Sequence, residues 1–356
     1  KVALLAGLPQ APNSYDPYAN ADQAKERRDL VLYSMKENGK ISKEQYDQAV
    51  ATPVTDGLIA HNNNVNSDDK ALVYDSFVTM VLKEVQEKTG LDPYNDGLTI
   101  ETTIDSKAQQ RLYDIVNTND YIQYVNDKIQ NAVVMLDTKT GAVRAVNGGR
   151  KQTTLLGYNR ATDNTRSTGS TIKPVIDYGP AIEYLNYSTG QTIMDQRTTY
   201  SNGVELNNWD FSHKGAMTLR TALVYSRNTT ALQTFKAVGE TNIKSFLNNL
   251  DIQIKNDGQD YLVESNSIGA DISPIKMAAA YATFGNYGTY SKPYAVRKVT
   301  TRDGQVTEFK PEQKQAMKDS TAYMITDVLK DSFKYGFATQ ATIPGLPTAA
   351  KTGSSN

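Results

Sequence analysis

Residues 166–174 read RSTGSTIKP and place a serine and a lysine three positions apart at the start of a predicted helix. Pro174 is tolerated only in the first turn of a helix, so the helix begins beside Ser170. Side chains three positions apart lie on one helix face, and the amine of Lys173 therefore points towards the Ser170 hydroxyl. The helix dipole and the free backbone N–H groups favour negative charge at the same place. Taken alone, the pattern favours an ordinary serine N-cap with a solvated lysine, and a serine nucleophile with a lysine base is the alternative.

The composition excludes several other chemistries. The chain has 356 residues, enough for about two domains. Its 38 Lys and Arg balance 39 Asp and Glu, so no basic field favours nucleic acid as a partner. No cysteine is present, which excludes a Cys-ligated zinc site, and His61 and His213, the only histidines, supply a His-rich metal site or a Ser-His-Asp triad poorly. The longest apolar run, residues 2–8, is far shorter than the roughly 20 residues of a membrane span. We expect a folded protein without a cofactor.

The first fifty residues read as helices. Asn20 can cap a helix that stops at Gly39, and Ser42 with Gln45 forms a capping box for the next helix. Residues 52–70 are polar and are the best linker candidate.

A second domain follows this linker. Apolar residues at helical spacing run from Phe77 to Gly90, and residues 98–104 alternate as a strand does. Residues 131–147 predict a hairpin whose first arm is apolar on both faces, which places it in the middle of a sheet covered by helices. Further helices are predicted at 171–185, 216–225, 229–238, 242–250, 274–284 and 320–334, and strands at 294–300 and 305–309. The fold class is α+β, with a mainly antiparallel sheet.

Three short patterns, S-x-x-K, S-x-N and K-T-G, occur together in serine β-lactamases and penicillin-binding proteins, but each alone is weak. S-x-x-K begins at Ser67, Ser170 and Ser273, S-x-N at Ser226 and Ser354, and K-T-G at Lys88, Lys139 and Lys351. Ser67 lies in the polar linker, and Ser273 reads as a helix N-cap before a proline. The K-T-G at Lys88 ends a helix and that at Lys139 makes a hairpin turn. The set in chain order is therefore Ser170, Ser226 and Lys351.

The sequence around these motifs resembles the transpeptidase domain of class A penicillin-binding proteins of Gram-positive type. The matching stretches are 166–174, YSRN at 225–228, AKTGS at 350–354, 137–141 with 148–150, and 267–269 with 277–284. The resemblance implies a penicillin-binding transpeptidase or serine β-lactamase-like fold, with a central, mainly antiparallel sheet flanked by helices and a small N-terminal helical remnant. Residues 1–51 resemble the C-terminal tail of the family's glycosyltransferase domain, 52–97 form a linker or interdomain region, and 98–356 form the transpeptidase domain without its C-terminal strands.

The resemblance also implies a cellular location and further parts of the protein outside these residues. The glycosyltransferase glutamates and the membrane anchor of such proteins would precede Lys1, so we expect no glycosyltransferase activity, and a location on the extracellular face of the cytoplasmic membrane. The strand that carries Lys351 would expose a bare edge beside the site. We therefore expect a separate C-terminal segment of the same protein to pair alongside residues 348–354.

The implied chemistry is a D,D-transpeptidase reaction through an acyl-enzyme. Ser170 attacks the D-Ala-D-Ala carbonyl of a peptidoglycan stem peptide and Lys173 accepts its proton. Ser226 relays that proton to the leaving amine, and Asn228 bonds Lys173 and the substrate amide. An amine acceptor then takes the acyl group. β-Lactam antibiotics acylate the same serine.

The third motif and the single tryptophan are predicted to bind substrate. Lys351 and Thr352 hold the terminal carboxylate of the substrate, and Gly353 lets its backbone come close. The backbone N–H groups of Ser170 and Ser354 form the oxyanion hole. Ser354 stands where threonine is commoner in the family, and it keeps the hydroxyl. Trp209 either lines the cleft or is a core tryptophan.

Other outcomes of the acyl-enzyme stay open. A class A β-lactamase needs an E-x-x-L-N pattern after S-x-N, but EYLN at 183–186 is one residue short and precedes Ser226. A D,D-carboxypeptidase is the enzymatic alternative. A non-catalytic β-lactam sensor is the alternative from another class of protein.

Overall fold

The computed structural model describes residues 1–11, 14–18, 20–58 and 65–355, with only the backbone of residues 65–70. His61 and the centre of the predicted linker lie outside these residues. The chain divides into two compact units, residues 1–65 and 66–356. No helix in the described ranges has the length and apolar character needed to cross a bilayer.

The first unit is helical, as predicted. Helix α1 spans Val2–Gly7, α2 spans Ala21–Glu37 and α3 spans Lys43–Ala51. Asn20 is the N-cap residue of α2, and Gly39 follows its end with φ +64°. The capping box of α3 is present, because Gln45 N donates to Ser42 Oγ at 3.2 Å and Ser42 N donates to Gln45 Oε1 at 2.8 Å. These outcomes confirm the predicted helix boundaries.

The second unit begins inside the predicted linker. Helix α4 spans Val65–Thr89, so it starts within the polar segment 52–70 and contradicts the prediction that this whole segment is a linker. Phe77, Val81 and Val85 of α4 are buried in a core that they share with later strands of the unit. Helix packing along this apolar stripe outweighs the polar composition of the first turns.

Most of the predicted helices and strands are present, but residues 215–218, at the start of the helix predicted at 216–225, form a strand, and the helix begins at Leu219. The helices are α5 (Ser106–Asn117), α6 (Gly179–Leu185), α7 (Leu219–Val224), α8 (Asn228–Val238), α9 (Glu240–Asn249), α10 (Pro274–Gly285) and α11 (Asp319–Lys334). The strands are β1 (Thr99–Thr102), β2 (Val133–Leu136), β3 (Val143–Asn147), β4 (Arg166–Ser167), β5 (Thr192–Asp195), β6 (Thr198–Thr199), β7 (Glu205–Leu206), β8 (Gly215–Thr218), β9 (Asp271–Ile272), β10 (Thr289–Ser291), β11 (Val296–Thr300), β12 (Val306–Glu308) and β13 (Gln313–Gln315).

All strand pairs of the named sheets are antiparallel, which confirms the α+β class. In the described part of the chain the strands form small sheets, of which β1-β11-β12 is the widest. Strand β3 lies beside this sheet, because Val143 N donates to Tyr294 O and the Thr103 hydroxyl donates to Val143 O. The main core lies among α6 to α11.

The predicted hairpin is present, but its first arm is not central. Strands β2 and β3 pair antiparallel, with a register shift between Met135 and Leu136. Val134 and Leu136 of β2 pack on the core, whereas Val133 and Met135 are 37% and 51% exposed. The prediction of burial on both faces is therefore wrong. Within the described residues strand β2 pairs only with β3 and is therefore an edge strand, and only its Val134 and Leu136 face packs on the core.

Candidate active site

Ser170 lies at the start of a continuous helical segment, as the motif predicts. A tight 3-10 turn spans Gly169–Ile172, a π turn spans Pro174–Tyr178, and α6 continues from there. Lys173 N donates to Ser170 O across the first turn. Because side chains three positions apart eclipse in a 3-10 turn, Ser170 and Lys173 share one face.

Lys173 is fully buried and surrounded by oxygen acceptors. Its Nζ donates to Asn228 Oδ1 at 2.7 Å and to Ser226 O at 2.8 Å, with Arg227 O at 3.2 Å and Ser226 Oγ at 3.4 Å. Burial lowers the pKa of Lys173 well below its usual value, and the charges of Lys351 and Arg227 lower it further. A neutral amine uses its two hydrogens on the nearest acceptors, which leaves a lone pair for a proton.

Ser226 lies in the connection between α7 and α8, where the backbone bends sharply. It has a φ of +54° and its N–H donates to Leu223 O. A non-glycine residue pays a strain of about 1–3 kcal/mol in such sparsely populated backbone regions, which tend to cluster at functional sites. The bend brings the Ser226 hydroxyl to Lys351, whose Nζ donates to Ser226 Oγ at 2.8 Å.

A buried ionic network, which the sequence motifs did not indicate, holds this bend. Arg227 is 2% exposed and its Nε donates to Asp195 Oδ2 at 2.8 Å. Its other nitrogens bond both carboxylate oxygens of Asp210 and the Ser212 carbonyl. Asp195 is fully buried and also accepts from the Thr229 hydroxyl. Arg227, the variable residue of the S-x-N motif, therefore has a structural role here. Only its ion pairs with Asp195 and Asp210, which are distant in sequence, reveal that role.

Asn228 is fixed at the first turn of α8 by contacts on both sides of its amide. Its Oδ1 accepts from Lys173, and its Nδ2 donates to Asn207 O at 2.8 Å. Its backbone N–H donates to Asn208 Oδ1 at 2.7 Å. These contacts aim the amide oxygen at Lys173.

The K-T-G segment packs against the start of the Ser170 helix. A Cβ added to Gly169, which has φ +51°, would meet Ser354 O at 2.3 Å, and one added to Gly353 would meet Thr168 O at 2.6 Å. Both glycines are therefore required by contact between these two backbones. Gly353 thus serves a close approach within the chain itself.

Residues 342–355 contain no strand, which corrects the strand expected at 348–354. A strand needs a ladder of backbone hydrogen bonds, and the described residues give this segment one such bond to the protein body, Ala350 N to Leu329 O at 3.3 Å. Thr352, Gly353 and Ser354 are exposed. Although the segment is not a strand, Lys351 still reaches Ser226 with its Nζ. Burial lowers the pKa of Lys351 to about 8.

Trp209 is not a core residue. It is 55% exposed, its indole N–H donates to Tyr225 O at 3.1 Å, and Tyr225 directly precedes Ser226. Its ring packs edge-on against Phe337, with 5.1 Å between centroids. Phe337 is 47% exposed and was not expected from the sequence. The pair forms an exposed aromatic surface next to the S-x-N motif.

The other motif copies have structural places. Ser273 is the buried N-cap residue of α10, with Pro274 in its first turn. Lys88 ends α4 and pairs with Glu84 at 2.7 Å. Lys139 is exposed in the β2-β3 turn. Glu183 of the EYLN stretch accepts from the Thr321 hydroxyl at 2.6 Å, on α6.

Comparison with known proteins places these features in a family. The profile described as the penicillin binding protein transpeptidase domain matches residues 131–356. The chain is 42% identical to penicillin-binding protein 1A of Streptococcus oralis, over 100% of this chain and 57% of that protein. It is 41% identical to penicillin-binding protein 1A/1B of Bacillus subtilis (strain 168), over 100% of this chain and 39% of that protein. The chain thus spans about half the length of the curated relatives it matches.

Solved structures share the fold. Penicillin-binding protein 1A from Haemophilus influenzae has a TM-score of 0.61 at 20% identity, covering 98% of this chain and 68% of that chain. The penicillin-binding protein PonA1 from Mycobacterium tuberculosis has a TM-score of 0.66 at 23% identity, covering 78% and 73%.

Proposed function

Because the chain belongs to the penicillin-binding protein transpeptidase family, we propose that it is a serine D,D-transpeptidase that cross-links peptidoglycan stem peptides. The observation that supports the proposal is the convergence of Lys173, Ser226, Asn228 and Lys351 in one hydrogen-bonded group, whose Lys173 lies one 3-10 turn after Ser170. Such a group supplies a base, a proton relay and a carboxylate anchor to one nucleophile.

Acylation begins with attack of Ser170 Oγ on the carbonyl of the penultimate D-Ala. Lys173 takes the hydroxyl proton, a Ser170 ester forms, and the C–N bond to the terminal D-Ala breaks. The proton reaches the leaving amine through Ser226, whose Oγ lies 3.4 Å from Lys173 Nζ. The backbone N–H groups of Ser170 and Ser354 are proposed to stabilise the oxyanion, and each such donor is worth about 10²–10³ in rate.

The second half reverses these steps with an amine acceptor. The acceptor nitrogen attacks the ester, forms a new amide bond and returns a proton to Ser170 through the same groups. Lys351 and Thr352 are proposed to bind the terminal carboxylate of the donor, which β-lactam antibiotics also present. β-Lactams are therefore proposed as covalent inhibitors. The sequence has no E-x-x-L-N pattern after Ser226, and Glu183 of the shorter EYLN stretch accepts a hydrogen bond from the Thr321 hydroxyl.

The exposed aromatic pair is proposed to be part of the substrate cleft. Trp209 is tied to the backbone beside Ser226, and Phe337 packs against it. An apolar portion of the donor peptide, or the aromatic side chain of a penicillin, can stack on this surface.

Domain organisation and location stay proposals. Residues 1–51 are proposed, from the family resemblance, to be the tail of a glycosyltransferase domain. A separate C-terminal segment of the same protein beside residues 348–354 is proposed on the same ground. We place the activity on the extracellular face of the cytoplasmic membrane, where peptidoglycan is accessible.

Intact-mass measurement after incubation with benzylpenicillin tests the function. We expect a single covalent adduct that peptide mapping assigns to Ser170, with loss of the adduct in Ser170→Ala and its retention in Ser273→Ala. A D-Ala-D-Ala peptide with an amine acceptor should give the cross-linked product. Release of D-Ala without that product would identify a D,D-carboxypeptidase. A benzylpenicillin adduct with neither D-Ala release nor cross-linking would identify a sensor. An adduct on Ser273 would refute the assignment.

A further inference from the structure

Asp177 lies in the core behind the active site with a carboxyl group that no donor reaches. The side chain is fully buried, and neither carboxylate oxygen has a hydrogen-bond partner among the described residues. Asp177 belongs to the π turn after Lys173, one helical turn further along the chain. An ionised carboxylate in this place lacks both water and donors, whereas a protonated carboxyl carries no charge.

A positive charge on Lys173 would lower the pKa of Asp177. The charges of Lys351 and Arg227 in turn lower the pKa of Lys173. The elements packed on this turn engage their own charged groups elsewhere: Arg220 with Asp327 and Asp331, Lys236 with Glu264, Lys244 with Glu240, Arg227 with Asp195, and Glu183 with Thr321. Two states of the pair are therefore relevant, an ion pair and an uncharged acid with a free amine.

We propose that Asp177 is a positioning residue held as a neutral carboxylic acid, which leaves Lys173 without a counter-anion and keeps its amine free at neutral pH. The oxygen acceptors of Lys173 serve either of its charge states, but the carboxyl oxygens of Asp177 lack any donor that would stabilise an anion. Burial raises the pKa of Asp177 well above its usual range, which also favours the protonated acid. The neutral state of Asp177 does not depend on the proposed function. Only its expected effect on acylation rests on the proposed role of Lys173 as the base.

Asp177→Asn tests the charge state through stability, without any need for activity. An ion pair and a neutral acid beside a neutral amine hold the same number of protons, so the test compares the size of the effect at one pH. Removing one partner of a buried ion pair leaves an uncompensated buried charge and should raise the unfolding constant about 10²–10⁴-fold. Asparagine in place of a neutral carboxyl should change that constant about tenfold or less. Urea titrations at pH 7, followed by Trp209 fluorescence, measure both constants. An increase of about 10²-fold or more in Asp177→Asn would show an ion pair and overturn the proposal.

The pH profile of acylation gives a second readout. Asparagine resembles a neutral carboxylic acid, so the acid limb of benzylpenicillin acylation should stay in place in Asp177→Asn. Loss of a nearby anion would instead move that limb to lower pH by about 1–3 units. Asp120→Asn, at an exposed aspartate, is the matched control for both experiments. A shifted limb contradicts the neutral acid even if the variant acylates normally.

Infrared spectroscopy of the wild type keeps the proposal testable should the variant not fold. A protonated carboxylic acid has a C=O stretching band apart from the carboxylate bands. At pH 7 we expect such a band, shifted by ¹³C labelling of aspartate. Its absence would overturn the neutral state, whereas a failed transpeptidase assay with the band present would refute the proposed function alone.

Discussion

The Ser226 hydroxyl accepts a hydrogen bond from Lys351 at 2.8 Å while the amine of Lys173 lies 3.4 Å from the same oxygen. One hydroxyl thus joins two amines, both of which have a lowered pKa. The arrangement supports the proposed route for a proton from Lys173 through Ser226 towards the leaving group. The charge of Lys351 also lowers the pKa of Lys173, because like charges close together raise the cost of protonation.

Removal of the proposed base should slow acylation without removing the nucleophile. Lys173→Ala is expected to lower the rate constant of benzylpenicillin acylation by about 10²–10⁴-fold, the usual contribution of general base catalysis. Stopped-flow or quenched mass spectrometry measures the rate. Lys276→Ala is the control, because Lys276 is the exposed lysine of the S-x-x-K copy at Ser273. Near-normal acylation in Lys173→Ala would contradict the role.

The pH dependence on the alkaline side should depend on Lys351. Its pKa is lowered by burial to about 8, so the ammonium is present below that pH and is lost as pH rises through it. Affinity for the carboxylate of a β-lactam should therefore fall above about pH 8. Lys351→Arg keeps its charge and should remove this limb, even where its absolute rate is lower. A limb that persists in Lys351→Arg would assign it to another group.

The buried pair of Arg227 and Asp195 should be worth much more than an exposed pair. Asp195→Ala leaves Arg227 buried with one partner fewer and is expected to cost about 3–5 kcal/mol of unfolding free energy. Glu205→Ala breaks the pair with Arg197, whose side chain is 82% exposed, and should cost about 1 kcal/mol or less. Urea denaturation measures both. Equal effects would show that the network is not needed to hold the Ser226 bend.

Contact between Gly169 and Ser354 should limit substitution at Gly169. An alanine Cβ would meet Ser354 O at 2.3 Å, so Gly169→Ala must displace the K-T-G segment from Ser170. A displacement of about 1 Å in an active site can cost 10²-fold in rate. Gly203→Ala is the control, since Gly203 also has positive φ, at +85°, but nothing within 4 Å of its added Cβ. Similar acylation by both variants would mean that backbone strain alone matters.

The aromatic pair should discriminate between penicillins. Trp209→Ala and Phe337→Ala are each expected to slow acylation by benzylpenicillin about tenfold more than acylation by 6-aminopenicillanic acid, which lacks the aromatic side chain. Phe211→Ala, at an exposed phenylalanine outside the pair, should change neither rate. Trp209→Phe keeps an aromatic ring but removes the indole N–H, so it separates the contribution of the ring from that of the hydrogen bond to Tyr225 O. Equal slowing with both compounds would assign the pair to support of the Ser226 backbone instead.

Local pattern determined much of this protein. The capping box at Ser42, the hairpin around Gly141 and the helix that begins beside Ser170 were predicted because each depends on residues a few positions apart. The order of the three motifs also identified Ser226 and Lys351 among several copies. The exposed face of β2 and the start of α4 were not predicted, because burial depends on which neighbours are present.

The sequence by itself determined the family resemblance and the proposed nucleophile and base, because these lie in short motifs of fixed spacing. Only the tertiary structure decided what surrounds them. Lys173 and Ser226 are 53 positions apart and Ser226 and Lys351 are 125 apart, so their hydrogen bonds exist only after folding. The Arg227 network and the unpartnered carboxyl of Asp177 depend likewise on burial among distant residues. Removal of water makes these charges interact strongly, and no local pattern records where water is removed.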